Sequence, residues 1–275
     1  MKAIVLTCDK YHPLADLMMH TYQKLWPDNP FVFRVPYNEI YPQWLKDKYK
    51  EKIELIKAPY PIKETMKTLL NDIGDDEWIY WCMDDRYLMK IDKRRVSEIY
   101  HTVLKLGDPQ IAGVSMLRRE RDKFYKKGSF LLTQSGFKLL ESVFSDSEEL
   151  GGPWAHQFIR CKVLRRMFES FPDRPFAAKE MDFFPKRKLA GEKIYDAERN
   201  LIVFGESASR GELTINCFLE LKRQGLKAPA GFNISTCKYH TTEDFRRAKG
   251  VAARAVRWLK YKYTALLLRL YGVKR

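Results

Sequence analysis

Trp78-Ile-Tyr-Trp-Cys-Met-Asp84-Asp85-Arg86-Tyr87-Leu88-Met89 is the stretch that decides the fold. Six apolar or aromatic residues run straight into two adjacent carboxylates, and an apolar segment resumes after one Arg. A short continuous apolar run bounded by polar residues predicts a strand buried on both faces. In open α/β sheets a ligand sits just beyond the carboxyl ends of such strands, so Asp84 and Asp85 stand where a substrate would lie. Two acids this close repel and raise each other's pKa. A divalent cation removes the conflict. Hard oxygen donors suit Mg²⁺ or Mn²⁺, with substrate phosphates completing the shell. The competing reading is a solvated turn, or a helix N-cap followed by an acid at the first helical position.

Working outward from this strand, the chain alternates. Residues 3–8 (Ala-Ile-Val-Leu-Thr-Cys) read as a first buried strand, followed by a turn at 9–13 with Pro13 near a helix start. Leu14, Leu17, Met18, Tyr22 and Leu25 recur at helical spacing, and 27–30 end that element. Residues 31–35 and 53–58 read as strands joined by a Lys-rich connection, and Ile62, Met66, Leu69, Leu70 and Ile73 stripe a second helix. After the acid-tipped strand, Val96, Ile99, Tyr100, Val103 and Leu104 mark a third helix. This alternation predicts an α/β domain with a mixed, mainly parallel sheet covered by helices.

Beyond Ile111 the pattern loosens. Residues 111–117 and 130–133 look like strands separated by a basic loop at 118–123. Gly151-Gly-Pro-Trp154-Ala-His156-Gln157 reads as a loop entering a helix near 156–169, and 172–200 as irregular loops around a site. The expected organisation is one domain over 1–243, in two halves at 1–117 and 118–243. A separate element follows at 244–275. That tail has ten Lys or Arg and a single acid, Asp244. Its apolar stripe runs from Phe245 through Leu259 and Tyr263 to Leu270, with Arg254, Arg257, Lys260 and Lys262 largely off it. A basic amphipathic helix of this kind lies in a membrane interface, where each cation near an anionic surface contributes about 1 kcal/mol. A helix docked on the core with a solvated basic face is the alternative.

The 275 residues suffice for a real core. A net charge of +15 points to an anionic partner: phosphate-bearing ligands, nucleic acid or an acidic membrane surface. The five cysteines are odd in number and scattered, which argues against a disulfide framework and a zinc site and fits a reducing cytosol. The apolar run after Lys2 is too short for a signal peptide, and no run approaches the length needed to cross a bilayer. A cytoplasmic protein, peripheral at the inner face of the membrane, is expected.

The order of a first strand ending in Thr7-Cys-Asp-Lys-Tyr11, a helix closing on Lys24-Leu-Trp-Pro-Asp28, and then Trp78 to Leu88 resembles bacterial glycosyltransferases of the GT-A fold, of the surface-polysaccharide type. The resemblance covers roughly residues 1–90 well and the remainder loosely. It implies a nucleotide-sugar donor, a saccharide or lipid-linked saccharide acceptor, and a divalent metal (Mn²⁺ or Mg²⁺) held against the donor diphosphate by an Asp-x-Asp-type motif. The matching acids are Asp84 and Asp85. Arg86 stands where that motif has its second acid, and could itself neutralise phosphate. Thr7, Cys8, Asp9 and Tyr11 match the base and ribose contacts, and His240 a late metal ligand.

Transfer from such a donor leaves charge on phosphate oxygens, which a metal, Arg or Lys must stabilise. If the reaction inverts, the acceptor hydroxyl needs a carboxylate base. Glu180 and Asp182 are the candidates, two apart and on one face of an extended chain, with Glu206 and Glu212 as further acids nearby. Arg210, before Gly211, could cradle a phosphate. Trp154, His156 and Gln157 offer an aromatic platform and polar tips for an acceptor, or else a helix start anchored by a buried Trp.

Three other classes compete. A sugar nucleotidyltransferase should carry a Gly-rich phosphate loop after the first strand, and residues 7–13 contain no Gly. Nucleic acid is not an expected partner, because the basic residues concentrate in the tail and loops and no finger or ribonucleoprotein-type strand motif occurs. A nuclease using Asp84 and Asp85 is the sharper form of that alternative. The last is a non-catalytic scaffold in envelope assembly.

Overall fold

The computed structural model describes residues 1–119, 121–143, 154–176, 180–181, 191–209, 211–234, 266 and 270. Met1–Ile202 form one compact unit and Val203–Arg275 a second.

The first unit opens with β1 (Lys2–Leu6), α1 (His12–Leu25), β2 (Val32–Tyr37), α2 (Gln43–Tyr49), β3 (Ile53–Lys57) and α3 (Ile62–Leu70). There follow β4 (Trp78–Met83), β5 (Arg86–Ile91), α4 (Lys93–Lys105), β6 (Ile111–Ser115), β7 (Tyr125–Leu132) and β8 (Lys138–Ser142). After these come β9 (Gln157–Arg160), α5 (Cys161–Glu169) and β10 (Lys193–Ala197). Nine of these strands make one sheet in the order β3-β2-β1-β4-β9-β6-β10-β8-β7. β1 pairs in parallel with β2 and β4, and β2 with β3. β9 runs antiparallel between β4 and β6, so β6, and β10 parallel to it, point the same way as β4. β8 is reversed again between β10 and β7. The carboxyl ends of β1, β4, β6 and β10 therefore share one edge. The mainly parallel α/β sheet expected from the alternation is what forms.

β4 begins and ends where the apolar run does, and all six of its residues are buried. Ile79, Trp81 and Met83 face Met66, Leu69 and Leu70 of α3 and Leu164, Met167 and Phe168 of α5. Tyr80 faces the other way, stacked on Phe31 with ring centroids 4.2 Å apart and tilted against Phe158 at 5.0 Å. Full burial of side chains this size contributes ~1.5–3 kcal/mol each. The strand that carries the acids is thus fixed from both faces.

Three expectations are corrected. The Lys-rich connection contains α2, whose buried Leu45 and Tyr49 fall one helical turn apart. Residues 157–160 are a strand inside the sheet, and the helix starts only at Cys161. Part of the segment read as loops around a site is β10, buried between β6 and β8.

The second unit, by itself, contains β11 (Ile202–Glu206, whose first residue belongs to the first unit), β12 (Ala208–Ser209), β13 (Glu212–Leu213) and α6 (Ile215–Arg223). Thr214 caps α6: its Oγ1 accepts from the Cys217 amide at 3.1 Å and donates to the Glu206 carbonyl at 2.6 Å. Residues 235–265, and with them most of the basic 244–275 segment, lie outside the described residues. Cys8, Cys82, Cys161 and Cys217 are free thiols. No described helix is long and apolar enough to cross a membrane.

Arg160 ties β9 into the sheet. Its guanidinium, buried and 4.6 Å from the Trp78 ring, donates to the Ile111, Leu106 and Asp108 carbonyls at 3.0, 2.7 and 3.1 Å, and also to that of Asp76. Lys cannot reproduce that fork. We expect Arg160→Lys to lower the urea-unfolding free energy by about 2 kcal/mol or more, through carbonyls left without donors. A midpoint within error of wild type would contradict this role.

Candidate functional site

The chain leaves β4 through a two-residue turn, Asp84-Asp85, and continues out of the sheet as β5. Beside it, in parallel register, β1 places Leu6 opposite Met83, and the Asp84 amide donates to the Leu6 carbonyl at 3.4 Å. The residues just past the tip of β1 therefore flank the acidic turn.

Burial, and then the Asp85 charge, push the Asp84 carboxyl well above the ordinary carboxylate range; the Thr7 hydroxyl and the Asp84 and Asp85 amides offset part of this. Thr7 Oγ1 is itself buried and meets no described partner at full hydrogen-bond geometry. Cys8 is half-buried, and its thiol pKa is raised by burial and next by the Asp84 charge. Tyr11 is raised by burial, by Cys8 and by both turn carboxylates, and Lys10 Nζ lies 5.5 Å from its ring. Asp84 and Asp85 are both half-buried, and Arg86 Nε lies 4.0 Å from the Asp85 Oδ1. Thr7, Cys8, Tyr11, Asp84, Asp85 and Arg86 thus occupy one place at the carboxyl edge.

Asp9 does not join them as a free ligand. Its Oδ1 accepts from the Asn38 amide at 2.7 Å, and its Oδ2 from those of Glu39 and Ile40 at 2.8 and 3.0 Å. Burial opposes its charge, but these amides prevail and hold its pKa below the usual value. Its carboxylate fastens the loop after β2 to the tip of β1, which corrects the donor-contact expectation for that group.

The acceptor loop is corrected too. His156 is completely buried and Gln157 nearly so, with Gln157 paired to Trp81 and Ser115 inside the sheet. Neither side chain reaches an acceptor, because β9 begins at Gln157 and draws both inward. Burial pushes the His156 pKa down to about 3, partly offset by the bond to the Met83 backbone, so its ring is neutral at physiological pH. Trp154 is half-buried with its ring against the α3–α5 core, which favours the anchoring reading. Glu180 Oε2 accepts from Arg174 Nη2 at 3.0 Å. Asp182, Arg210 and His240 lie outside the described residues.

One buried acid went unread in the sequence. Asp196, in β10, lies in register with Ser115, three strand spacings (roughly 14 Å) across the sheet from β4. Burial raises its pKa, against the opposing effect of Arg119. Its Oδ2 accepts from Arg119, Tyr125 and Ser142 at 3.3, 3.2 and 2.9 Å. Three donors on one oxygen describe an anchor for the 119–125 segment, and a perturbed pKa in such a network is structural. Its sequence signal, an acid within Ile194-Tyr-Asp-Ala197, is the same kind that marked Asp84.

No family model and no curated protein sequence matches the chain. Solved structures similar to it include the galactosyltransferase LgtC in complex with donor and acceptor sugar analogues, at 13% identity and a TM-score of 0.34, covering 60% of each chain. An active-site mutant of LgtC aligns at 14% identity over 96% of this chain and 95% of that one, with a TM-score of 0.38. The 4-diphosphocytidyl-2C-methyl-D-erythritol synthase aligns at 10% identity over 73% of this chain and 90% of its own, with a TM-score of 0.36. Mannosyltransferase PcManGT from Pyrobaculum calidifontis, in complex with GDP-Man and Mn²⁺, aligns at 16% identity over 44% of this chain and 36% of its own, with a TM-score of 0.32. The chain spans about 60% of the length of the first of these.

Asp84 holds its proton more tightly in the folded chain than in the unfolded one. Stability therefore falls as pH rises from the ordinary aspartate value of about 4 toward the raised one, and stays lower above it. Asp84→Asn removes that loss. In urea unfolding with a chelator present, its advantage over wild type should grow from about pH 4 to neutrality. A difference independent of pH, or a less stable variant at neutral pH, would contradict the assignment.

Proposed function

We propose that the protein is a nucleotide-sugar-dependent glycosyltransferase whose donor diphosphate sits at the Asp84-Asp85 turn. The observation that carries this reading is the pair of carboxylates on a rigid strand tip, where burial and mutual repulsion oppose the Asp84 charge. Such a pair is poised for a cation.

The donor set fits a hard divalent ion: two adjacent carboxylates, with the buried Thr7 hydroxyl beside them. No cluster of three or more His, Cys, Asp or Glu suited to a metal occurs among the described residues. Asp84 and Asp85 would thus supply the ligands and leave the remaining positions to phosphate and water. Mg²⁺ or Mn²⁺ there would neutralise charge developing on the departing nucleoside diphosphate. Arg86 stands next to that charge, and Lys10 and Tyr11 line the side toward β1. Thr7, Cys8 and Tyr11 would meet the nucleoside. A role for Arg210 at phosphate, and for His240 as a further ligand, rests on sequence alone.

The acceptor is a saccharide or lipid-linked saccharide, met from the side of Trp154. If the anomeric centre inverts, Glu180 or Asp182 would take the hydroxyl proton, and for Glu180 this requires release from Arg174. The basic 244–275 segment would hold the enzyme at an anionic membrane surface on the cytoplasmic side, and the resemblance to surface-polysaccharide enzymes suggests the pathway.

Calorimetric titration with UDP, GDP, CMP and dTDP and their sugars, with and without Mn²⁺, tests the reading. One nucleotide class should bind in the presence of metal, and Asp84→Asn and Asp85→Asn should each weaken it tenfold or more, about 1.4 kcal/mol. Selective binding without metal would move phosphate neutralisation to Arg86. No nucleotide binding would overturn the proposal. Cleavage of DNA or RNA would then favour a nuclease, and unchanged function on loss of both acids a scaffold.

A further inference from the structure

The antiparallel ladder between β4 and β9 ends with Trp81 opposite Gln157. The next residue of β4 whose amide and carbonyl turn toward β9 is Met83, the last before the acids. A side chain meets it there. His156 Nε2 lies 3.0 Å from the Met83 amide nitrogen and 3.1 Å from its carbonyl oxygen. The imidazole stands where a further backbone rung would be.

The ring is held from behind. Its Nδ1 is 2.8 Å from the Tyr22 hydroxyl, which is 2.8 Å from that of Tyr80. The Tyr22 and His156 rings are near-parallel, with an interplanar angle of 16°. Tyr22 belongs to α1, and its neighbour Thr21 accepts from the Leu88 amide through Oγ1 at 3.0 Å. Adjacent residues of one helix therefore grip both flanks of the turn, Met83 through His156 on one side and Leu88 directly on the other.

We infer that His156 is the positioning residue of the acidic turn: its imidazole supplies the terminal rung of β4 and fixes where Asp84 and Asp85 stand. The inference rests on the proposed donor site for its consequence in binding, but the positioning itself is a property of the chain alone. In one tautomer Nδ1–H donates to Tyr22 and Nε2 accepts from the Met83 amide; in the other Nε2–H donates to the Met83 carbonyl. Either way one nitrogen holds the backbone next to the carboxylates. A displacement of about 1 Å at such groups costs on the order of a hundredfold in function.

Three variants separate positioning from general stability. His156→Gln places an amide near the Nε2 position, His156→Leu fills the space without a polar atom, and Tyr22→Phe removes the support behind the ring. Two readouts are taken at matched unfolding midpoints. These are amide hydrogen exchange over 83–88 and binding of Mn²⁺ with the nucleoside diphosphate that wild type selects. His156→Leu should speed exchange over 83–88 at least tenfold relative to the rest of β4 and weaken binding at least tenfold. His156→Gln should restore most of both, and Tyr22→Phe should fall between. Exchange over 83–88 in His156→Leu that matches wild type, or that changes equally throughout β4, would overturn the inference. So would a His156→Gln variant no better than His156→Leu. If wild type binds no nucleotide, the proposed function fails and the exchange experiment still decides the positioning role.

Discussion

A carboxylate that would rather be neutral governs this molecule. Asp84 sits at the end of a strand buried on both faces, with another acid next to it, and burial and that neighbour together oppose its charge. Such a group persists only where surrounding structure holds it in place. The sheet and helices supply that hold. β4 is clamped between α3 and α5 on one side and the Phe31, Tyr80 and Phe158 rings on the other. β1 lies alongside in parallel register, and α1 reaches both flanks of the turn. Carboxylates carried this way keep a fixed position and would need little reorganisation to receive the proposed cation, which is how preorganised electrostatics act.

The support was less legible in the sequence than the acids themselves. The limits of β4 could be read off because its apolar run is contiguous and stops at charges. β1, β2 and β3 followed from their alternation with helices. β9 could not be read so. It contributes four residues with a Gln at one end and an Arg at the other, and both are buried because strands more than forty residues away in sequence flank them: Gln157 lies in register with Trp81 and Ser115, and the Arg160 side chain reaches the Ile111 carbonyl. Periodicity gives no hint of such pairing, and His156 read as a polar tip for the same reason. Its partners, Tyr22 and Met83, lie far off in the chain.

Asp9 shows the opposite failure. Acid type and place at a strand end made it look like a ligand, yet its oxygens are spent on three amides of the loop at 38–40. Both it and Asp84 lie near the carboxyl edge; what distinguishes them is the partners present. Amides lower the pKa of Asp9, while burial and a second acid raise that of Asp84. Asp196 shows that a raised pKa alone is not a site, since Arg119, Tyr125 and Ser142 already converge on it. Among these described acids, the Asp84-Asp85 turn combines opposed charge, a buried Thr7 hydroxyl alongside and a rigid support.

The most direct test of the account is the titration of the Asp84 side chain itself, followed by carbon-detected NMR of carboxyl-labelled protein. The free protein should show an Asp84 pKa well above the ordinary aspartate value of about 4. Divalent cation with the matching nucleoside diphosphate should bring it below that value, because the charged form then has its partner. An ordinary pKa in the free protein, or one that cation and nucleotide leave unmoved, would contradict the claim that this turn is built to receive them.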